Sequence, residues 1–264
     1  MSKITSSTAK WCVAVCRPDP QGKQLAKRLT DIGYDAIAQP LFDIEAQTNS
    51  EEIKQILATK QPNIIIFISP AAVKFAQKAL PIKNWKNIIS RPIIYMAVGK
   101  TTQTALRHCG INKVIVPKQE NSEGMLALAE LNHVNNENVL IIRGDKGREL
   151  LATTLTTRGA NVTYLASYRK VWRKLTADKL ALQWQKHKIN AIVVTSVALL
   201  ENLLALLTTT QAKEYWLEHC YWLVASERIA KQAKRHNINK VINTCGANTQ
   251  AIMTTISTMD LNND

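Results

Sequence analysis

The segment MAVGKTTQTALRHCGINKVIV at residues 96–116 returns 127 positions later as LVASERIAKQAKRHNINKVIN at residues 223–243, with Asn112 matched to Asn239. In both, an apolar run leads into a polar helical pattern and closes on Asn-Lys-Val-Ile. Outward from this pair, VAVCRP at residues 13–18 matches VLIIRG at residues 139–144. Arg17 and Arg143 stand 126 positions apart, as do Gly33 and Gly159. The run ending at Ser69 matches the run ending at Ser196, again at 127. Generic strand-helix units look alike, but they do not hold four matches in one order at nearly one offset. One half of the chain is a copy of the other.

The matched runs belong to a longer alternation. CVAVC, IIIFI, IIYMAV, KVIV, NVLII, AIVVT, WLVA and KVIN are each followed by a helical pattern, such as residues 24–30 or 101–108. Continuous apolar runs suit strands buried on both faces of a parallel sheet, and their alternation with helices predicts a doubly wound α/β fold. Duplication then predicts two similar lobes with a cleft between them. In open α/β sheets ligands collect at the carboxyl ends of the strands. Those ends read Arg17-Pro18, Ser69-Pro70, Gly99-Lys100-Thr101-Thr102, Arg143-Gly144-Asp145, Thr195-Ser196 and Ser226-Glu227. Ser69 before Pro70 fits an N-cap with proline at the first helical position. Free backbone N–H groups just beyond such caps receive carboxylates or phosphates.

Composition agrees with an anionic ligand. The 264 residues hold 34 Lys and Arg against 20 Asp and Glu, a formal net charge of +14, and 46% hydrophobic residues exclude a disordered chain. A pI near 9.6 also suits a nucleic-acid binder. The basic residues are dispersed, however, and no nucleic-acid motif appears. A non-enzymatic two-lobed anion-binding protein is the other alternative. No apolar run approaches the ~20 residues of a membrane span, and no signal-peptide core precedes the first strand, so a cytoplasmic protein with no membrane partner is expected. The five cysteines form no C-x-x-C pair, which reads as reduced thiols. His108, His133, His187, His219 and His236 are scattered, so neither metal nor nucleotide cofactor is indicated. Without a large apolar stripe, a monomer is expected.

Taken in order, VAVCRP with Arg17, IFISPAAV with Ser69, AVGKTTQTAL with Gly99 and Thr102, NSEGML with Glu123, IIRGDKGRELL with Arg143 and Gly144, SYRKVW with Tyr168, and VVTSVALL with Ser196 resemble the uroporphyrinogen-III synthase family. Each motif alone is weak, while their order and spacing up to ANTQAIMTTI are specific. The resemblance implies two flavodoxin-like α/β lobes joined by a two-strand hinge. Residues 1–41 and 171–264 would form the first lobe and residues 42–170 an inserted second one. AIAQPLFDIEA and VTYLASYRKVW would be the joints, and each lobe would borrow its first strands from the other repeat. The implied reaction is that of a lyase: it closes the linear tetrapyrrole hydroxymethylbilane to uroporphyrinogen III, losing water and inverting the last ring through a spiro intermediate. No metal or organic cofactor is implied, and transient channelling from hydroxymethylbilane synthase is a further expected partnership. The substrate closes unaided to the uninverted isomer, so the protein's task is selection of geometry. Holding one conformer can lower a barrier by up to ~7–11 kcal/mol.

Tyr168 matches the family's cleft tyrosine, and a phenol can donate a proton to a departing hydroxyl. Its bland reading is a strand Tyr packed at a hinge. Expected substrate-binding positions are Arg17, Ser69, Gly99, Lys100, Thr102, Arg143, Gly144, Ser196 and Ser226. Ser69 and Ser196 could serve only as N-caps, and Thr102 only as a helix cap. Arg17 and Arg143 could hold carboxylates bidentately or be solvated surface residues. Lys146 and Arg148 extend the same patch, and Glu123 is read as supporting a helix N-terminus. One departure from the family stands at Ser226-Glu227-Arg228-Ile229, where the second copy lacks the Gly and Thr of the first. Ser226 or Arg228 would replace that contact.

Overall fold

The computed structural model describes residues 11–261. In chain order, β1 (Cys12–Val15), α1 (Gln21–Asp31), β2 (Asp35–Ala38), β3 (Phe42–Ala46), α2 (Ser50–Lys60), β4 (Ile64–Phe67) and α3 (Pro70–Ala79) lead to β5 (Ile94–Ala97), α4 (Lys100–His108), β6 (Val114–Ile115) and the short α5 (Ser122–Leu126). Then come β7 (Asn138–Gly144), α6 (Leu150–Thr157), β8 (Asn161–Trp172), α7 (Ala177–Lys186), β9 (Ala191–Val194), α8 (Val197–Leu207), β10 (Tyr221–Val224), α9 (Glu227–Arg235), β11 (Val241–Asn243) and α10 (Thr249–Leu261). The chain divides into two compact units, one ending at Asp43 and resuming at Trp172, the other spanning Ile44–Val171. No helix among the described residues is long and apolar enough to cross a membrane.

The first unit holds a five-stranded sheet in the order β11-β10-β9-β1-β2, and the second a six-stranded sheet in the order β3-β8-β7-β4-β5-β6. Laid over the repeat, these are the same sheet. Both β2-β1-β9-β10-β11 and β8-β7-β4-β5-β6 have the 2-1-3-4-5 order of flavodoxin-like folds, and β3 is added beyond β8. The ladders along both series are parallel. Each sheet takes its first two strands from one copy of the repeat and its last three from the other.

The pairing of β3 with β8 runs the other way. The Arg173 N–H donates to the Leu41 carbonyl at 2.9 Å and the Gln47 N–H to the Ser167 carbonyl at 3.1 Å, so one index rises as the other falls. Both segments expected to be joints reach into the sheets. Residues 36–38 lie in β2, a member of the first sheet, and β8 pairs with β7 from Asn161 to Tyr168.

Central strands explain the continuous apolar runs. All four residues of β4 and all four of β9 are buried. Alternate residues of the second sheet serve its two faces. Ile65 and Phe67 pack with Val73, Trp85 and Leu106 on one face, whereas Ile64 and Ile66 pack with Met125, Leu151 and Leu155 on the other. In the first sheet Val13 and Val15 pack against Leu25, Leu29 and Ile256. Each such side chain contributes roughly 1.5–3 kcal/mol by leaving water. This packing fixes where each helix begins, at the carboxyl end of a strand.

Candidate active site

Tyr168 owes its place to an irregularity in β8. Arg143 is registered with Ala166, but Gly144 with Tyr168, so Ser167 is an extra residue in the ladder. The buried Ser167 hydroxyl donates to the backbone carbonyls of Ala72 at 3.2 Å and Arg143 at 3.4 Å. The Asp145 N–H donates to the Tyr168 carbonyl at 2.9 Å. The phenol ring lies against Gly144, where a Cβ would stand 2.8 Å from a ring carbon. Only glycine leaves room for it. The ring is also tilted against Phe75, with centroids 6.0 Å apart. The Tyr168 hydroxyl stands 3.3 Å from Ser69 Oγ, and Ser69 Oγ also accepts the Ala72 N–H at 3.1 Å as the N-cap of α3, with Pro70 following.

Arg143, at the end of β7, is buried and only 5% exposed. Its Nη1 donates to Glu149 Oε1 at 2.9 Å, and its guanidinium sits 4.6 Å from the Tyr164 ring centroid. The Tyr164 hydroxyl donates to Glu149 Oε2 at 2.6 Å. The Tyr164 and Arg143 hydrogen bonds hold the Glu149 carboxyl below the usual glutamate range, while burial and Glu149 push the Tyr164 phenol up to about 12. Arg143 Nη1 is thus paired with a carboxylate of its own unit, while the buried Nε has no protein partner. Arg148 pairs likewise with Glu123, with hydrogen bonds of 2.7 and 3.3 Å, and this contact holds Glu123 below its ordinary range. A 260 Å³ cavity opens among Ile68, Val98, Ser122, Arg148 and Tyr164.

Gly99 is the N-cap of α4, and a Cβ there would collide with Glu120 Oε2. Lys100 is the exposed first residue of the helix. Thr102 is 2% exposed, and its repeat counterpart Ile229 is just as buried. That position packs against the core in both copies. In the first unit Ser196 caps α8 by accepting the Leu199 N–H at 3.2 Å, the counterpart of Ser69. Ser226 is the N-cap of α9 in extended backbone and makes no side-chain cap bond, as at Gly99, and Arg228 is exposed on that helix. Arg17 follows β1, half-buried; burial pushes its guanidinium pKa down, and its Nη1 has no protein partner.

The second unit therefore brings Ser69, Gly144 and Tyr168 into contact, with Gly99, Lys100, Thr102 and Arg143 at neighbouring strand ends. Arg17, Ser196 and Ser226 occupy the corresponding strand ends of the first unit. Sequence reading missed Ser167, Glu149 and Tyr164, which set the positions of Tyr168 and Arg143. A signal for Glu149 was present, because its counterpart at the 126 offset is Lys23, a reversed charge inside a matched segment. Among the described residues no three His, Cys, Asp or Glu side chains gather as a metal-ligand set.

The family model described as uroporphyrinogen-III synthase HemD matches residues 23–251. The uroporphyrinogen-III synthase of Escherichia coli K12 is 35% identical over 226 residues, covering 84% of this chain and 90% of its own. The Proteus mirabilis enzyme of the same name is 30% identical over 197 residues, covering 73% and 97%. Among solved structures, a mutant uroporphyrinogen III synthase from Thermus thermophilus aligns with a TM-score of 0.65 at 16% identity, over 96% of this chain and 100% of its own. The Helicobacter pylori uroporphyrinogen-III synthetase aligns with a TM-score of 0.60 at 14% identity, over 94% and 99%. These two show a shared fold.

Proposed function

This chain belongs to the uroporphyrinogen-III synthase family, and from that membership we propose how its residues convert hydroxymethylbilane to uroporphyrinogen III. The reaction removes water from the linear tetrapyrrole, inverts the last ring through a spiro intermediate and closes the macrocycle. The substrate carries eight carboxylates, and the chain carries +14. Helix starts at Ser69, Gly99, Ser196 and Ser226 offer backbone N–H groups to those carboxylates, assisted by Lys100 and Arg17. Such donors screen the polyanion's self-repulsion and fold it into one conformer, which is where the rate and the isomer choice arise.

Tyr168 is the proton donor that lets the substrate hydroxyl leave as water. Thr102, Arg143 and Gly144 act through packing around that phenol and the strand ends. The observation that carries the assignment is the 3.3 Å approach of the Tyr168 hydroxyl to the helix-capping Ser69, which couples a proton donor to an anion-receiving helix start. A monomeric cytoplasmic enzyme supplied directly by hydroxymethylbilane synthase belongs to the same reading. The test is to add hydroxymethylbilane generated in situ and resolve the porphyrin isomers after oxidation. Isomer III is expected, and isomer I alone overturns the proposal.

A further inference from the structure

Six buried side-chain nitrogen or oxygen atoms among the described residues lack a hydrogen-bond partner, and three of them fall within residues 17–21: Arg17 Nη1, Asp19 Oδ1 and Gln21 Oε1. One donor and two acceptors are thus left open in the short turn that joins β1 to α1 and at the first residue of that helix. The turn is folded back tightly. The Gly22 N–H donates to the Pro18 carbonyl at 3.0 Å, and Gly22 packs against the Arg17 carbonyl with no room for a side chain. Leaving such groups unpaired costs ~1–3 kcal/mol each, so three of them side by side favour a ligand that pairs them.

The repeat supplies a control. Arg143, the counterpart of Arg17, has its Nη1 filled by Glu149. The counterpart of Glu149 is Lys23, whose ammonium instead pairs with Asp19 Oδ2 at 3.1 Å and leaves Oδ1 open. One copy fills Nη1 with an internal carboxylate and keeps only Nε open, whereas the other leaves Nη1 itself open. An inorganic anion would answer Arg17 alone. The two acceptors call for an N–H donor on the same molecule, and an acid-bearing pyrrole offers one beside its carboxylate.

We propose that residues 17–21 form a mixed donor and acceptor subsite that grips one pyrrole ring of the substrate together with its acid arm. Arg17 Nη1 donates to the arm's carboxylate, while Asp19 Oδ1 and Gln21 Oε1 share the single ring N–H as a forked pair of acceptors. This rests on the synthase reading for its ligand and adds Asp19 and Gln21 to the residues that position it. Binding of uroporphyrinogen III, kept reduced, is followed by tryptophan fluorescence, with benzenehexacarboxylate as a carboxylate-only probe. Lys23→Glu, at a side chain 74% exposed, gives Arg17 the internal partner that Arg143 has, and should weaken both probes about fivefold without lowering Tm. Gln21→Met removes an acceptor and should weaken uroporphyrinogen III by a similar factor while leaving benzenehexacarboxylate unchanged. Unchanged uroporphyrinogen III affinity in both variants overturns the subsite. If wild-type protein makes isomer III while the variants bind normally, only the subsite fails. Isomer I alone together with weakened binding sinks the synthase reading and leaves the subsite standing.

Discussion

At the scale of single residues, the chemistry depends on neighbours that perform none. Ser167 adds one residue to a ladder and Gly144 vacates one side chain's volume, and between them the Tyr168 phenol is presented beside Ser69. Removing the hydroxyl alone should therefore leave the fold in place. In Tyr168→Phe we expect turnover at least tenfold lower with Tm essentially unchanged, measured by single-turnover assay and calorimetry; wild-type turnover would remove Tyr168 from the mechanism. Glu149 makes a different prediction. Its depressed pKa means that its ion pair contributes stability above the ordinary glutamate pKa of ~4.3, and that this contribution is lost as pH falls through the lower folded value. Glu149→Gln should melt a few degrees below wild type at pH 7, a modest effect because Glu149 is 62% exposed, and the gap should close in acid. A pH-independent gap would mean that packing, rather than charge, holds Arg143. From sequence Arg143 reads as a carboxylate receptor or a solvated surface residue, and its pairing with Glu149 is invisible there because only the folded turn brings Glu149 back to it.

The elements were legible where burial is two-sided. Ile64 to Phe67 and Ala191 to Val194 announce themselves because every residue must be apolar. Asp35 to Ala38, at a sheet edge with no fully buried residue, carries no such mark and reads as part of a joint. The bulge at Ser167 changes no hydrophobic pattern, so spacing could not reveal it. Helix starts were the best-read feature: Ser69 and Ser196 cap α3 and α8 with the same bond, at 3.1 and 3.2 Å. Ser69→Ala and Ser196→Ala should each cost about 1 kcal/mol in urea denaturation. A much larger loss at either position would show that the serine supports more than its helix start.

Over the whole molecule, duplication was plain in the residues themselves, whereas which strand joins which sheet came only from the family resemblance. Strand spacing is the same whether a copy folds on itself or exchanges its first two strands with the other copy. Here they are exchanged, and the decisive contacts are remote, such as the Cys12 N–H donating to Asn190 Oδ1 at 2.8 Å across 178 positions. The chain should accordingly tolerate cuts at unit boundaries and not at repeat boundaries. Residues 44–171 alone should show a cooperative urea transition, whereas residues 1–126, one full copy, should not. Cooperative folding of the isolated copy would mean that its strands can pair within themselves.

Strand β1 lies between β2 and β9, and β9 begins only at Ala191. On the ribosome, every strand of the inserted sheet is synthesised before that partner exists. Nascent chains should complete the middle of the protein first, while the oily amino-terminal strand waits half-covered for on the order of ten seconds or more at typical elongation rates. That interval, rather than the finished enzyme, is when the chain most needs a chaperone.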